Sequence, residues 1–98
     1  MLNISDNRIS VLLPGIFSPM KYINQIYLAR NQISHLSAGI FTNMKYLGIL
    51  DLSGNNLKIV KAEPFAGLQL QQILLGNNQI SHIENNALND SSSELNLM

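Results

Sequence analysis

The stretch Leu47-Gly48-Ile49-Leu50-Asp51-Leu52-Ser53-Gly54-Asn55-Asn56-Leu57 decides the fold. Side chains two apart in an extended chain share a face, so Leu50 and Leu52 point one way while Asp51 and Ser53 point the other. The pattern returns at a fixed distance. Aligning on Asn7, Asn31, Asn55 and Asn78 gives steps of 24, 24 and 23 residues. Five before each asparagine stand Leu2, Ile26, Leu50 and Ile73, and three before stand Ile4, Leu28, Leu52 and Leu75. Two after come Ile9, Ile33, Leu57 and Ile80; five after, Leu12, Leu36, Val60 and Ile83; ten after, Phe17, Phe41, Phe65 and Leu88. Every position in these columns is apolar. At the chain's apolar fraction of 46%, chance would give this roughly once in a few million trials, and still rarely after a discount of about a thousandfold for choosing the register.

Polar stretches repeat as well. Gln32-Ile33-Ser34-His35 returns as Gln79-Ile80-Ser81-His82, and Met20-Lys21-Tyr22 returns as Met44-Lys45-Tyr46. The 23-residue step loses its residue between Phe65 and Leu70, on a connecting segment where a deletion is tolerated. One strand per unit, stacked in parallel on its copies, buries the alternating aliphatic side chains that a single unit would leave in water. Each buried leucine or isoleucine contributes on the order of 1.5 to 3 kcal/mol, and the phenylalanine column adds a bulkier layer. Asn7, Asn31, Asn55 and Asn78 follow the strands where backbone groups lose their strand partners. An inward amide both donates and accepts there, which predicts an asparagine ladder. Surface turns also favour asparagine, but they do not require apolar residues at fixed offsets on both sides.

The pattern LxxLxLxxNxL, present as Ile23, Ile26, Leu28, Asn31, Ile33 and as Leu47, Leu50, Leu52, Asn55, Leu57, resembles the leucine-rich repeat over nearly the whole chain. The resemblance implies an α/β-type repeat solenoid: a curved horseshoe fragment with one short parallel β-strand per repeat and a mostly irregular convex side. Repeats are expected at about 1–22, 23–46, 47–69 and 70–93, with 94–98 opening a further one. A 24-residue length with phenylalanine ten after the asparagine is similar to the class found in extracellular proteins, including receptor ectodomains, guidance proteins and matrix proteoglycans. It implies a non-catalytic protein-binding scaffold, a protein or peptide ligand, and an extracellular or cell-surface setting within a longer protein.

Composition narrows the alternatives. Charged residues make up 12% of the 98, with six basic and six acidic residues, so the basic footprint of a nucleic-acid binder is missing. Without cysteine there is neither a disulfide framework nor a thiolate metal site. The N-terminal stretch lacks the pattern of a secretory signal, and apolar runs such as Val11 to Leu13 are far shorter than the roughly 20 residues that span a bilayer. No cofactor is implied. The carboxylates Asp51, Glu63 and Glu84 fall at different offsets, and neither an activated nucleophile nor a phosphate-binding glycine loop is present, so an enzyme is not expected. His35 and His82 share a column two repeats apart and read as solvated turn residues. Asp6 and Arg30 share a column in adjacent repeats, which predicts an exposed ion pair of little energetic weight.

Candidate binding residues are the outward positions of the strands. Gln25, Ile49 and Gln72 lie six before the asparagines, and Tyr27, Asp51 and Leu74 four before. Tyr27, Ile49 and Leu74 are apolar where alternation would place polar side chains, which marks a small peptide- or protein-binding patch on the concave face. Asn3-Ile4-Ser5 and Asn89-Asp90-Ser91 are glycosylation sequons, about as many as chance supplies in so asparagine-rich a chain. A glycan on Asn3 would project from the same face and obstruct that end.

Terminal caps are not recognisable. Leu2 starts within a strand, and Ser91 to Met98 resembles a loop leading into a fifth strand cut short, so a marginal fragment that associates through its ends is expected. Three functions are compatible with such a scaffold: ligand binding at the cell surface or in secretion, a structural or adhesion role in matrix, and targeting of an intracellular regulatory enzyme.

Overall fold

A computed structural model describes residues 1–88 and the backbone of 94–96. Five strands, β1 (Leu2–Asn3), β2 (Gln25–Tyr27), β3 (Ile49–Asp51), β5 (Gln72–Leu74) and β7 (Glu94–Asn96), form one parallel sheet in the order β1-β2-β3-β5-β7. Register carries each column directly onto itself: Leu2 opposite Ile26, Ile26 opposite Leu50, Leu50 opposite Ile73 and Ile73 opposite Leu95. Each strand therefore belongs to one coil of the chain, and successive coils lie side by side. The sequon asparagine Asn89 and residues 91–93, expected as a loop, fall outside the described residues.

Alternation works as the periodicity requires. Ile26, Leu28, Leu50 and Leu52 are fully enclosed, and Ile73 and Leu75 nearly so, while Gln25, Tyr27, Ile49 and Asp51 on the other side of the strands remain half-exposed. Phe17 stacks on Phe41 with ring centroids 5.9 Å apart, and Phe41 meets Phe65 at 6.2 Å with a tilt of 31°. These rings make a continuous aromatic column behind the aliphatic layer.

The opposite side of the coils is more regular than the expected turns. β4 (Ile59–Val60) and β6 (His82–Ile83) form a second, two-stranded parallel sheet, and short 3₁₀ helices occupy Ser18–Met20 and Glu63–Phe65. His82 thus lies in a strand rather than a turn. The β-branched residues Ile59, Val60 and Ile83 favour extended backbone, and the coils that carry them are adjacent.

The asparagines join coil to coil. Asn31 and Asn55 are buried, Asn78 is half-buried and Asn7 is exposed. The Oδ1 of Asn31 accepts the backbone N–H groups of Asn7 and Ile9, both at 3.1 Å, from the coil before. Its Nδ2 donates to Ile4 in that coil at 3.2 Å and to Leu28 in its own at 3.0 Å. Asn55 repeats the set, accepting from Ile33 and donating to Leu28 and Leu52, and Asn78 accepts from Leu57 and donates to Leu52 and Leu75. No buried side-chain nitrogen or oxygen among the described residues lacks a hydrogen-bond partner.

One position before each asparagine the backbone turns left-handed: Asp6, Arg30, Gly54 and Asn77 have φ of 62°, 55°, 69° and 56°. This turn swings the following amide into the core. Aspartate, glycine and asparagine tolerate the conformation; Arg30 does not by nature, and its side chain is tethered to Asp6. Gly54 has a second reason to be glycine, because a Cβ there would stand 3.1 Å from Arg30 Cγ and 3.3 Å from its Cα and N.

The shorter step leaves strand register intact. In the first two coils a pair of i to i+3 turns follows the phenylalanine: Met20 N–H to Phe17 and Ile23 to Met20, then Met44 to Phe41 and Leu47 to Met44. In the third coil Leu68 N–H closes the first turn on Phe65, and buried Leu70 follows two residues later, where Ile23 and Leu47 come three after Met20 and Met44. The chain then rejoins the pattern, with the Gly48 carbonyl accepting from Gln71 and Gln72 as Asn24 accepts from Gly48 and Ile49.

Urea melts should show Asn31→Ala and Asn55→Ala each losing about 1 to 3 kcal/mol because buried backbone groups lose their partners, and exposed Asn7→Ala less than about half a kcal/mol. Equal small losses at all three positions would reject the ladder as a source of stability. Gly54→Ala is expected to destabilise by more than about 1 kcal/mol, combining the left-handed strain with the Arg30 contact. Gly67→Ala is the control, since its φ of 80° is similar but a Cβ there meets nothing within 4 Å; it should lose less.

Candidate functional site

Pairing in the main sheet places the six outward residues on one surface. Gln25, Ile49 and Gln72 lie in one row across β2, β3 and β5, and Tyr27, Asp51 and Leu74 in the next. Neighbouring strands sit about 4.8 Å apart, so each row is a set of touching positions. All six are half-buried.

Local hydrogen bonds hold the polar members in place. The Tyr27 hydroxyl donates to Gln25 Oε1 at 3.3 Å. Asp51 Oδ1 accepts the Ser53 N–H at 3.0 Å and the Ser53 hydroxyl at 2.7 Å, which fixes the carboxylate over the end of β3. Asn3 Oδ1 accepts the Ser5 N–H at 3.0 Å in the same way. The Asn3 side chain is exposed on this face. Ser5 Oγ takes the Ala29 N–H at 3.0 Å and so belongs to the contact between coils. The face combines a tyrosine, two aliphatic side chains, two amides and one immobilised carboxylate, which suits recognition of a polar and apolar mixture rather than bond making.

Beside this face, Asp6 and Arg30 meet through both guanidinium and carboxylate edges, with Arg30 Nε on Asp6 Oδ1 and Nη2 on Oδ2 at 3.0 Å. The hydrogen bond from Arg30 holds the Asp6 carboxyl below the usual range, partly opposed by desolvation, and Asp6 in turn raises Arg30. Any stabilisation from Asp6 is therefore complete above its unfolded pKa of about 3.9 and disappears as pH falls through the lower folded value.

The histidines remain apart. His35 is exposed on the rim of a cleft of about 190 Å³ between the second and third coils, with Lys58 and Lys61 beside it and Val60 and Phe65 within. His82 is exposed on β6. Among the described residues, no group of three or more histidine, aspartate or glutamate side chains is placed to hold a metal ion. None of their helices is long and apolar enough to cross a membrane.

Parallel strands in direct register, spaced 22 to 24 residues apart in the sequence and linked by inward amides, define a repeat protein of stacked coils. A family model for the leucine rich repeat matches residues 1–57 and 21–80, and the chain belongs to the leucine-rich repeat family. Repeats of this family are generally non-catalytic and serve as protein-protein interaction scaffolds. Comparison with curated protein sequences gives no significant match.

An NMR titration should place the Asp6 pKa below about 3.9 and return it toward that value in Arg30→Ala. An unchanged Asp6 curve in the variant would remove Arg30 as the cause.

Proposed function

We propose that this chain is a ligand-binding segment of a cell-surface or secreted leucine-rich repeat protein. It recognises a protein or peptide through the outward side of its main sheet. In this reading the coils occupy about 1–22, 23–46, 47–69 and 70–93, curve as a horseshoe with that side concave, and continue in neighbouring repeats of a longer receptor ectodomain. The observation that carries the binding face is the shared surface of Gln25, Tyr27, Ile49, Asp51, Gln72 and Leu74, where Tyr27, Ile49 and Leu74 surround a carboxylate already held by Ser53. Tyrosine and aliphatic anchors beside fixed polar groups supply area and orientation with little side-chain entropy to lose. The extracellular setting is supported by the repeat length and the stacked phenylalanine column. Asn3, exposed beside the face, and Asn89 are its candidate glycan acceptors.

The test is an interaction screen of the chain within its parent protein against cell-surface and secreted proteins. A partner should emerge whose affinity falls at least about tenfold in Tyr27→Ser/Leu74→Ser, the range expected for truncating two central anchors. A partner bound equally well by that double variant would exclude the sheet face as its site.

A further inference from the structure

The repeated triplets Met20-Lys21-Tyr22 and Met44-Lys45-Tyr46 build a surface that the sheet face does not use. Each lies on an i to i+3 turn, closed by Ile23 N–H on Met20 and by Leu47 N–H on Met44. Met44 and Leu47 are both buried, so the two residues between them are driven outward. Tyr22 is 76% exposed and Tyr46 61%, yet their rings stay together, with centroids 5.8 Å apart and a tilt of 31°. Large aromatic side chains this exposed are informative when they form an ordered pair.

A depression of about 350 Å³ lies between the two turns, bordered by both tyrosines, both lysines, Ser18 and Asn43. A second, of about 210 Å³, begins at the same Asn43 and Lys45 and reaches Ala66, Gly67 and Leu68 in the third coil. The turn at Asn43 and Lys45 is the wall the two share, and they follow one another across three coils. Beside the second depression the third coil has Gln69 alone between Leu68 and Leu70, where the first two coils have a lysine and a tyrosine, and a Cβ on Gly67 would meet nothing within 4 Å. No carboxylate borders either depression. In a chain of zero net charge, Lys21 and Lys45 are a local excess of positive charge.

We infer that these two depressions form a second docking surface, which takes a short, extended, acidic segment of a partner protein. Two lysines are too few to hold a nucleic acid or a membrane surface, where binding rests on many cationic contacts. Three coils span about 10 Å, which an extended segment of roughly four residues covers at about 3.3 Å each. Side chains two apart in such a segment repeat every 6.6 Å or so, close to the tyrosine spacing. Carboxylates on one side of the segment meet the ammonium groups while apolar side chains on the other lie against the rings. The surface is separate from the face proposed above, and neither depends on the other.

The experiment is an amide-shift NMR titration of the full chain with a blocked hexapeptide alternating glutamate and leucine. A lysine-leucine counterpart serves as control, and a sulfated oligosaccharide as competitor. The expected result is salt-sensitive shifts over residues 18–24 and 42–47 with the acidic peptide alone, weakened at least about tenfold in Lys21→Glu/Lys45→Glu and comparably in Tyr22→Ser/Tyr46→Ser. All four side chains are exposed, so thermal melts should show both variants folded. Four outcomes would overturn the inference: no response at millimolar peptide, equal response to the basic peptide, affinity unchanged in the variants, or preference for the oligosaccharide. Shifts confined to Tyr27, Asp51 and Leu74 would instead assign the peptide to the sheet face, and would equally overturn it.

Discussion

A carboxamide enclosed between two coils is the constraint on which the rest of the structure depends. Where the strand ends, the backbone of each coil has carbonyls and N–H groups that its neighbour's backbone no longer reaches. Asn31 and Asn55 answer both coils at once, with oxygen toward the coil before and nitrogen divided between that coil and their own. Desolvating unpaired backbone groups would be unfavourable enough to offset the burial of a leucine or more. The aliphatic columns can close over this bend only because the amides satisfy it.

Around that bend the energetics are local. Leu28 and Leu52 belong to one continuous core in which each phenylalanine ring lies against the next, and in a stack of coils stability accrues by nearest neighbours. The one-residue shortening after Phe65 illustrates how forgiving the connecting side is. The segment is one residue shorter, yet Leu70 still reaches the core and β5 still pairs with β3 in register. Within the strand-to-asparagine stretch the same deletion would move every inward side chain outward.

Much of this was legible in the sequence, because columns five and three before the asparagine alternate strictly and the asparagine itself recurs. The outward residues followed from the same alternation, and the sheet places Gln25, Tyr27, Ile49, Asp51, Gln72 and Leu74 in two rows. Other features left fainter traces. β4 and β6 are two residues long, so Ile59-Val60 and His82-Ile83 differ little from a turn by pattern alone. The left-handed column carried a signal in Asp6, Gly54 and Asn77, residues suited to positive φ, but Arg30 interrupts it. Lys21-Tyr22 and Lys45-Tyr46 were visible as copies, while their exposure depends on which neighbours are buried, and tyrosine and methionine count as apolar in any periodicity.

The amide ladder also gives the stack a direction. Asn31, Asn55 and Asn78 each reach back toward the coil preceding them, while Asn7 bonds the Ile4 and Ser5 carbonyls of its own coil. A unit placed beyond Asn78 must therefore bring its own amide, whereas a unit placed ahead of Asn7 need offer only peptide groups for that side chain to grip. Extension of such an array is vectorial, and two copies meeting like end to like end would find their ladders incompatible.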